Sequence, residues 1–483
     1  MKKIVLLISF LALTISCTDD ITGLNTDTKN PTSAKPEFLF TNAQKTLVDQ
    51  MVNSSVNRNV FRMLVQQWTE TTYPDESQYN LTTRPIPDTH FTTLYRDVLR
   101  DFKESNILLT KVVTAGASEA TIVANKKAIV EIMSVYTFSV LVDSFGDVPY
   151  SEALDIEGHP LPKYDDAQTI YKDLIARLTA AQAALNTSES SFGTADLIYN
   201  GNTAKWKKFA NTLRLRLAIN MADVDAAYAS TQATAAITAG LITSSSDNAN
   251  LNYLGAQPNA NPLYVDLVAS GRKDFVIADT FVDKLNTLSD PRRAKYFTFA
   301  PGTTIYRGGI YGASNSYTNF STVNSTLLAP SFPGTILTNS ETEFLLAEAA
   351  ARGIAAAGVA ATHYNNAITA SMNDWGVDPA ATVVYLAANP YNGTSTATWK
   401  KSIGEQSWIA LYNRGFEAWN TWRRLDFPAL VVPATTYADI KSVPTRLTYP
   451  AGEATVNATN VSAAAAKITG GDKLTSKIFW DKF

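Results

Sequence analysis

Three histidines (His90, His159, His363) and one cysteine (Cys17) are all the imidazole and thiol groups in 483 residues. No histidine stands in an HExxH or comparable ligand spacing, and one cysteine cannot form a zinc-binding pair, so no metal site is expected from them. There is no GxSxG elbow, and three histidines leave little material for a Ser-His-Asp triad. Gly308, Gly309 and Gly312 fit neither a P-loop nor a dinucleotide fingerprint and are read as turn residues. Acid pairs occur at Asp165/Asp166 and Glu341/Glu343, at expected helix starts where carboxylates complement the dipole. Glycoside hydrolysis would need two carboxyls facing each other across a pocket, which spacing alone does not specify.

What recurs instead is an aromatic ring beside an amide or a guanidinium. Trp68, Tyr73, Tyr79, Asn80 and Arg84 fall within seventeen residues. Tyr253, Asn259, Asn261 and Tyr264 form a second group; Tyr306, Arg307, Tyr311, Tyr317, Asn319 and Phe320 form a third. A sugar presents an apolar face that stacks on a ring and hydroxyls that amides and guanidiniums bond. The ligand-binding candidates are therefore Trp68, Tyr73, Tyr79, Asn80, Arg84, Tyr264, Tyr306, Arg307, Tyr311, Tyr317 and Asn319. Trp206, Trp399, Trp408 and Trp419 lie on helical stripes and are assigned to the core. Charged residues are only 18% and the net charge is -3, so the basic footprint of a nucleic-acid binder is missing. No cofactor is expected, and the loop acids leave a structural calcium ion open.

The elements that must position these groups are mostly helical. Apolar residues recur at three- and four-residue spacing over 38–52, 60–68 and 91–109, which predicts helices. The stretch 128–145 is apolar on nearly every side, which predicts a buried central helix. Its longest apolar run, 128–142, contains Glu131 and is short for a membrane span. Amphipathic helices are predicted over 166–185 and 202–221, with a proline-marked loop at 146–163 between the first of them and the buried helix. Residues 251–333 are rich in Gly, Pro, Asn and Tyr and read as a long functional loop region, apart from a helix near 281–288. Helices over 341–352 and 360–372 are joined through Gly353 and Gly358. Ala347, Ala350 and Ala351 would face Tyr364, Ala367 and Ile368, as in a tetratricopeptide unit. A last helix pair spans 399–424, and 426–483 reads as a loop-rich tail. The fold class is mainly all-α: one helical domain over 36–483 with a loop-rich insertion at about 251–333.

The N-terminus reads as an address. Lys2 and Lys3 precede an apolar run over 4–15, then Ser16 and Cys17. This is a secretory signal over 1–16 followed by a lipidated Cys17, although Thr14 stands where a lipobox usually has Leu. Residues 17–35 form a polar tether.

Six motifs carry a resemblance that spans nearly the whole chain. They are SCTDD at 16–20, DSFGDVPYSEAL at 143–154, PKYDDAQTIYKDL at 162–174, YNGNTAKWKKFANTLRLRLA at 199–218, ETEFLLAEAAARG at 341–353 and WIALYNRGFEAWNTWRRLDFP at 408–428. In this order they resemble the SusD/RagB family of Bacteroidetes outer-membrane lipoproteins. The resemblance implies a scaffold of tetratricopeptide-like helix pairs with long irregular ligand loops. It also implies a non-enzymatic surface protein that captures a nutrient, usually a glycan, for a SusC-like TonB-dependent transporter. Gly146, Asp147, Pro149 and Tyr150, then Trp206, Leu213, Arg214 and Arg216, then Trp422, Arg423 and Arg424 read as architectural. The ligand loops vary within the family, so only Cys17 transfers by motif. The expected partners are the transporter, the glycan and, through the lipid, the outer membrane. Alternatives are an oligopeptide cargo, an all-helical glycoside hydrolase, and a tetratricopeptide interaction scaffold, against which the long loop region counts.

Overall fold

Several helices begin where the sequence supplies a capping oxygen. Asp166 accepts from the Thr169 N–H, Asn202 from Lys205, Asp225 from Tyr228 and Thr338 from Glu341. The computed structural model describes residues 34–483, so the signal sequence and Cys17 lie outside the described residues. Among the described residues, helices of nine residues or more are α1 (Pro36–Val52), α2 (Arg100–Thr110), α3 (Ala117–Phe145), α4 (Ala167–Ala184), α5 (Thr203–Asn220), α6 (Ala226–Ala239), α7 (Asp279–Thr287), α8 (Asn339–Ala351), α9 (Ala360–Asp374), α10 (Pro379–Ala388), α11 (Thr396–Ala410), α12 (Gly415–Leu425) and α13 (Ala458–Lys467). Among the described residues, six short strands form two-stranded antiparallel sheets: β1 (Trp68–Glu70) with β5 (Phe275–Ile277), β2 (Val148–Pro149) with β3 (Tyr164–Asp165), and β4 (Ala249–Leu251) with β6 (Gly334–Leu337).

Neighbouring helices pack in pairs, α1 with α2, α3 with α4, α5 with α6 and α8 with α9, the tetratricopeptide-like arrangement. Helix α3 is long and apolar enough to cross a membrane, but 94% of that apolar window is buried within the fold, so it is the core helix. Gly146 ends it at φ 85°, a conformation a side chain would strain. Helix α8 serves two apolar clusters. Ala347 and Ala351 pack with Tyr364, Ala367 and Ile368 of α9, whereas Ala350 turns to the cluster shared with α5 and α6.

Two acids on α8, one heptad apart, anchor the buried polar network. Glu341 accepts from Arg216 Nε of α5 at 2.7 Å and from Arg414 Nη2 at 2.6 Å. Glu348 accepts from Arg424 Nε of α12 at 3.0 Å and from Arg352 Nε at 2.9 Å. Burial opposes the charge of Glu341, yet Arg216 and Arg414 hold it below the usual carboxylate range. Glu341 is thus more than the dipole partner its position near a helix start suggests.

The expected helix over 60–68 is mostly absent. Only Phe61–Leu64 is helical, because Gln66 adopts φ 57° and turns the chain into β1. The expected helix over 91–109 is interrupted: Ile86–Thr92 runs through a π-helical stretch, Thr93–Leu99, into α2. The tail is less irregular than expected and contains Ala451–Val456 and α13.

Candidate functional site

The pairing of β1 with β5 sets Trp68 opposite Ile277 and Glu70 opposite Phe275. The chain leaving β1 therefore runs beside the chain entering β5. Thr71 donates its N–H to Asp274 O at 2.9 Å and its hydroxyl to Lys273 O at 2.7 Å. On its other side Asn315 donates its N–H to Thr71 O at 2.7 Å. Three segments far apart in sequence, 71–73, 272–274 and 313–317, thus meet at one surface.

Tyr73 stands at the end of the first segment and is 63% exposed. Tyr317 is half-buried, with Lys273 Nζ 5.4 Å over its ring. Beside them opens a cleft of about 360 Å³ lined by Ser54, Asn57, Arg84, Asp266, Ser270, Arg272 and Asp274, among others. A small extension lined by Glu70, Thr72 and Tyr73 shares Arg84, Arg272 and Asp274 with it. Asp266 accepts from the Ser54 N–H and hydroxyl, both at 3.2 Å, and burial raises its carboxyl. Arg272 donates to Asp274, and Arg84 to Glu76. Two guanidiniums and two carboxylates leave the cleft near neutral, with donors and acceptors interleaved beside an exposed ring. That chemistry suits a neutral polyhydroxylated ligand.

Four other sequence-derived candidates, Trp68, Tyr79, Asn80 and Tyr311, are corrected by their burial. Trp68 is 1% exposed, its Nε1 donating to the Tyr412 hydroxyl at 3.1 Å while Arg62 covers its ring at 5.1 Å. Tyr79 and Tyr311 are buried, and burial raises both phenols. Asn80 is buried and uses its Nδ2 on Asp75 Oδ1 and Thr83 Oγ1, at 3.2 and 2.8 Å, to shape a turn. None of these four offers a face to a ligand, because each fills the space beneath the loops. Tyr306 is half-buried against Phe297 and Phe299, with Arg293 over its ring. Tyr264 is half-buried in the one-turn helix Pro262–Tyr264. Arg307 is exposed but donates from Nε and Nη2 to Asn319 O, at 2.9 and 2.6 Å, tying the loop while the Asn319 side chain stays exposed. The sequence reasoning missed Asn57, Asp266, Arg272, Lys273 and Asp274. The GRKD run at 271–274 inside a neutral loop region was the signal for three of them.

Two acids underlie the cleft. Glu70 accepts from the Ser77 N–H at 3.0 Å, and Glu76 accepts from Arg84. Glu70 Oε1 and Glu76 Oε2 have no other partner, and one proton shared between the two carboxyls satisfies both. Burial, then the facing Glu76, pushes the Glu70 carboxyl up to about 9. Because that value lies above the ordinary ~4.3, folding takes up a proton at neutral pH. This contribution to stability is full in acid below the ordinary carboxylate range. It declines as pH rises and is gone above about 9. Melting curves across that range should show the wild type losing stability with rising pH. Glu70→Gln, which keeps a donor but cannot titrate, should flatten the slope; an unchanged slope would refute the shared proton.

The sequence matches, over residues 28–450, the SusD-like family described as starch-binding and associating with the outer membrane. No curated protein matches the chain. Among solved structures, a chitin-binding protein is 29% identical, with TM-score 0.79, the alignment covering 93% of this chain and 100% of that one. A SusD homologue from Bacteroides uniformis is 26% identical, also with TM-score 0.79, covering 92% of this chain and 100% of that one. A chitin-binding SusD homologue from Flavobacterium johnsoniae shares the fold at 22% identity and TM-score 0.78, covering 92% and 98%. With helix pairs, motif order and family profile in agreement, the chain belongs to the SusD-like family of outer-membrane-associated binding proteins.

Proposed function

We propose that this protein is a lipid-anchored, cell-surface binder that captures a neutral glycan and delivers it to a SusC-like TonB-dependent transporter, and that it is not an enzyme. The observation that carries this reading is the neutral cleft in which exposed Tyr73 stands beside Arg84, Arg272 and Asp274. Tyr73 and Tyr317 supply stacking surfaces, Arg84, Arg272 and Asn57 bond hydroxyls, and Arg307 with Asn319 extends the same loop surface. The acid pair near the cleft supports binding over hydrolysis: Glu70 and Glu76 are buried and face each other directly, so they do not flank a sugar-sized space. The chitin-binding relative at 29% identity makes N-acetylglucosamine chains the first ligand to test. Cys17 is the proposed anchor, and Cys17→Ala should release the protein from the membrane fraction.

The test is affinity electrophoresis and calorimetry of residues 18–483 against chitin oligosaccharides, starch and other neutral polysaccharides, with a peptide digest alongside. One polysaccharide class should bind, and Tyr73→Ala should weaken it roughly tenfold, the equivalent of one lost stacking contact. Heat from the peptides alone would move the cargo to oligopeptides. Release of reducing ends on long incubation would overturn the non-enzymatic reading.

A further inference from the structure

A second cavity, of about 260 Å³, opens where β4, β6, the C-terminal end of α9 and the turn between α11 and α12 meet. It shares no lining residue with the cleft: Val52 lines this cavity, whereas Ser54, two residues on, lines the cleft. Trp375, Phe332 and Tyr412 form an aromatic wall, with Trp375 and Phe332 centroids 6.1 Å apart. The polar lining is fixed from behind. Asn248 donates Nδ2 to Asp374 Oδ2 at 3.1 Å and accepts the Asn339 N–H at 2.7 Å. Asn250 Oδ1 accepts from the Thr335 hydroxyl at 2.7 Å.

Arg414, nine-tenths buried, also lines the cavity. Its Nη1 and Nη2 are bonded to Thr338 and Glu341, at 3.2 and 2.6 Å, but its Nε has no protein partner.

The charges select the ligand class. Glu341 and Glu417 neutralise Arg414, and Asp374 adds a carboxylate at the mouth, so an anion is disfavoured. A neutral polyol fits: ring against Trp375, hydroxyls toward Asp374 and Asn250. We propose that this cavity is a second saccharide site, separate from the cleft, that takes a single ring or chain end of a neutral sugar. The choice of sugar as ligand rests on the glycan-binding reading above; the site itself does not share residues with it.

The experiment is calorimetry with glucose, N-acetylglucosamine, maltose and chitobiose, at up to about ten times a millimolar Kd. The proteins compared are the wild type, Tyr73→Ala, and Tyr73→Ala carrying Asp374→Asn or Thr326→Trp. The last places a bulky ring at the exposed rim, and unfolding midpoints confirm that each variant is folded. At least one sugar should bind the wild type, and the binding that remains in Tyr73→Ala should fall tenfold or more when Asp374→Asn or Thr326→Trp is added to that background. No binding by any of the four sugars, complete loss with Tyr73→Ala, or indifference to both cavity changes in that background would overturn the proposal. If polysaccharides fail to bind but a small sugar still binds in this pattern, the cleft reading falls and the cavity stands.

Discussion

Glu341→Ala should destabilise the fold by about 3–5 kcal/mol, a large part of the 5–15 kcal/mol that holds a typical domain. Glu341 is 6% exposed and is the shared counter-charge of Arg216 on α5 and Arg414 before α12. Removing it leaves the buried Arg216 without its ion-pair partner and Arg414 with Glu417 alone at 3.4 Å, the costly way to break a buried pair. Glu341→Gln should also destabilise the fold, since it keeps the volume and loses the charge. A surface pair calibrates the effect: Lys441 and Asp439 are largely exposed, so Asp439→Ala should cost under about 1 kcal/mol. Denaturant unfolding of the three variants checks this, and an unshifted midpoint for Glu341→Ala would show that the network does not hold the helices together.

Trp68→Ala should cost about 3–5 kcal/mol, the range for emptying a buried aromatic site. The ring lies between Arg62, Phe275 and Tyr412, so truncation opens a cavity beneath β1 and takes away the N–H that the Tyr412 hydroxyl accepts. Tyr73→Ala, five residues along, should change stability by no more than about 0.5 kcal/mol, because that ring is 63% exposed. Thermal melts of the two variants give the comparison directly. Equal stability losses would mean that the division between supporting and presenting rings is drawn in the wrong place.

That division marks where the sequence stops being informative. The long helices were legible because the 3.6-residue period repeats over many turns and because Asp166, Asn202 and Thr338 supply caps. The chain over 60–68 was not, since a four-residue helix, a positive-φ Gln66 and a three-residue strand leave no period to count. Strand β1 finds β5 some two hundred residues away, and strands that short carry no pairing signal of their own. Composition placed aromatic rings and amides in these loops, but the direction of each ring follows from that long-range pairing. Tyr73, Arg84 and Tyr317 therefore reach the candidate surface, whereas Trp68, Tyr79, Asn80 and Tyr311 support it from below. Arg272 and Asp274 lie outside the three ring-and-amide groups of the sequence, and a helix-start acid such as Glu341 has a simpler explanation until Arg216 and Arg414 converge on it.

Helix α3 has a consequence before the fold exists. A protein bound for the outer membrane first crosses an inner bilayer as an extended chain, and an apolar segment of this length is a candidate to stop there. Between 128 and 145 only Glu131 and Asp143 carry charge, and each raises the free energy of lodging in lipid. Once the chain folds, Glu131 pairs with Arg177, while Asp143 accepts from Asn420 and Trp480 at 2.9 Å. The same two acids that disfavour lodging in lipid fix the segment's partners in the folded protein.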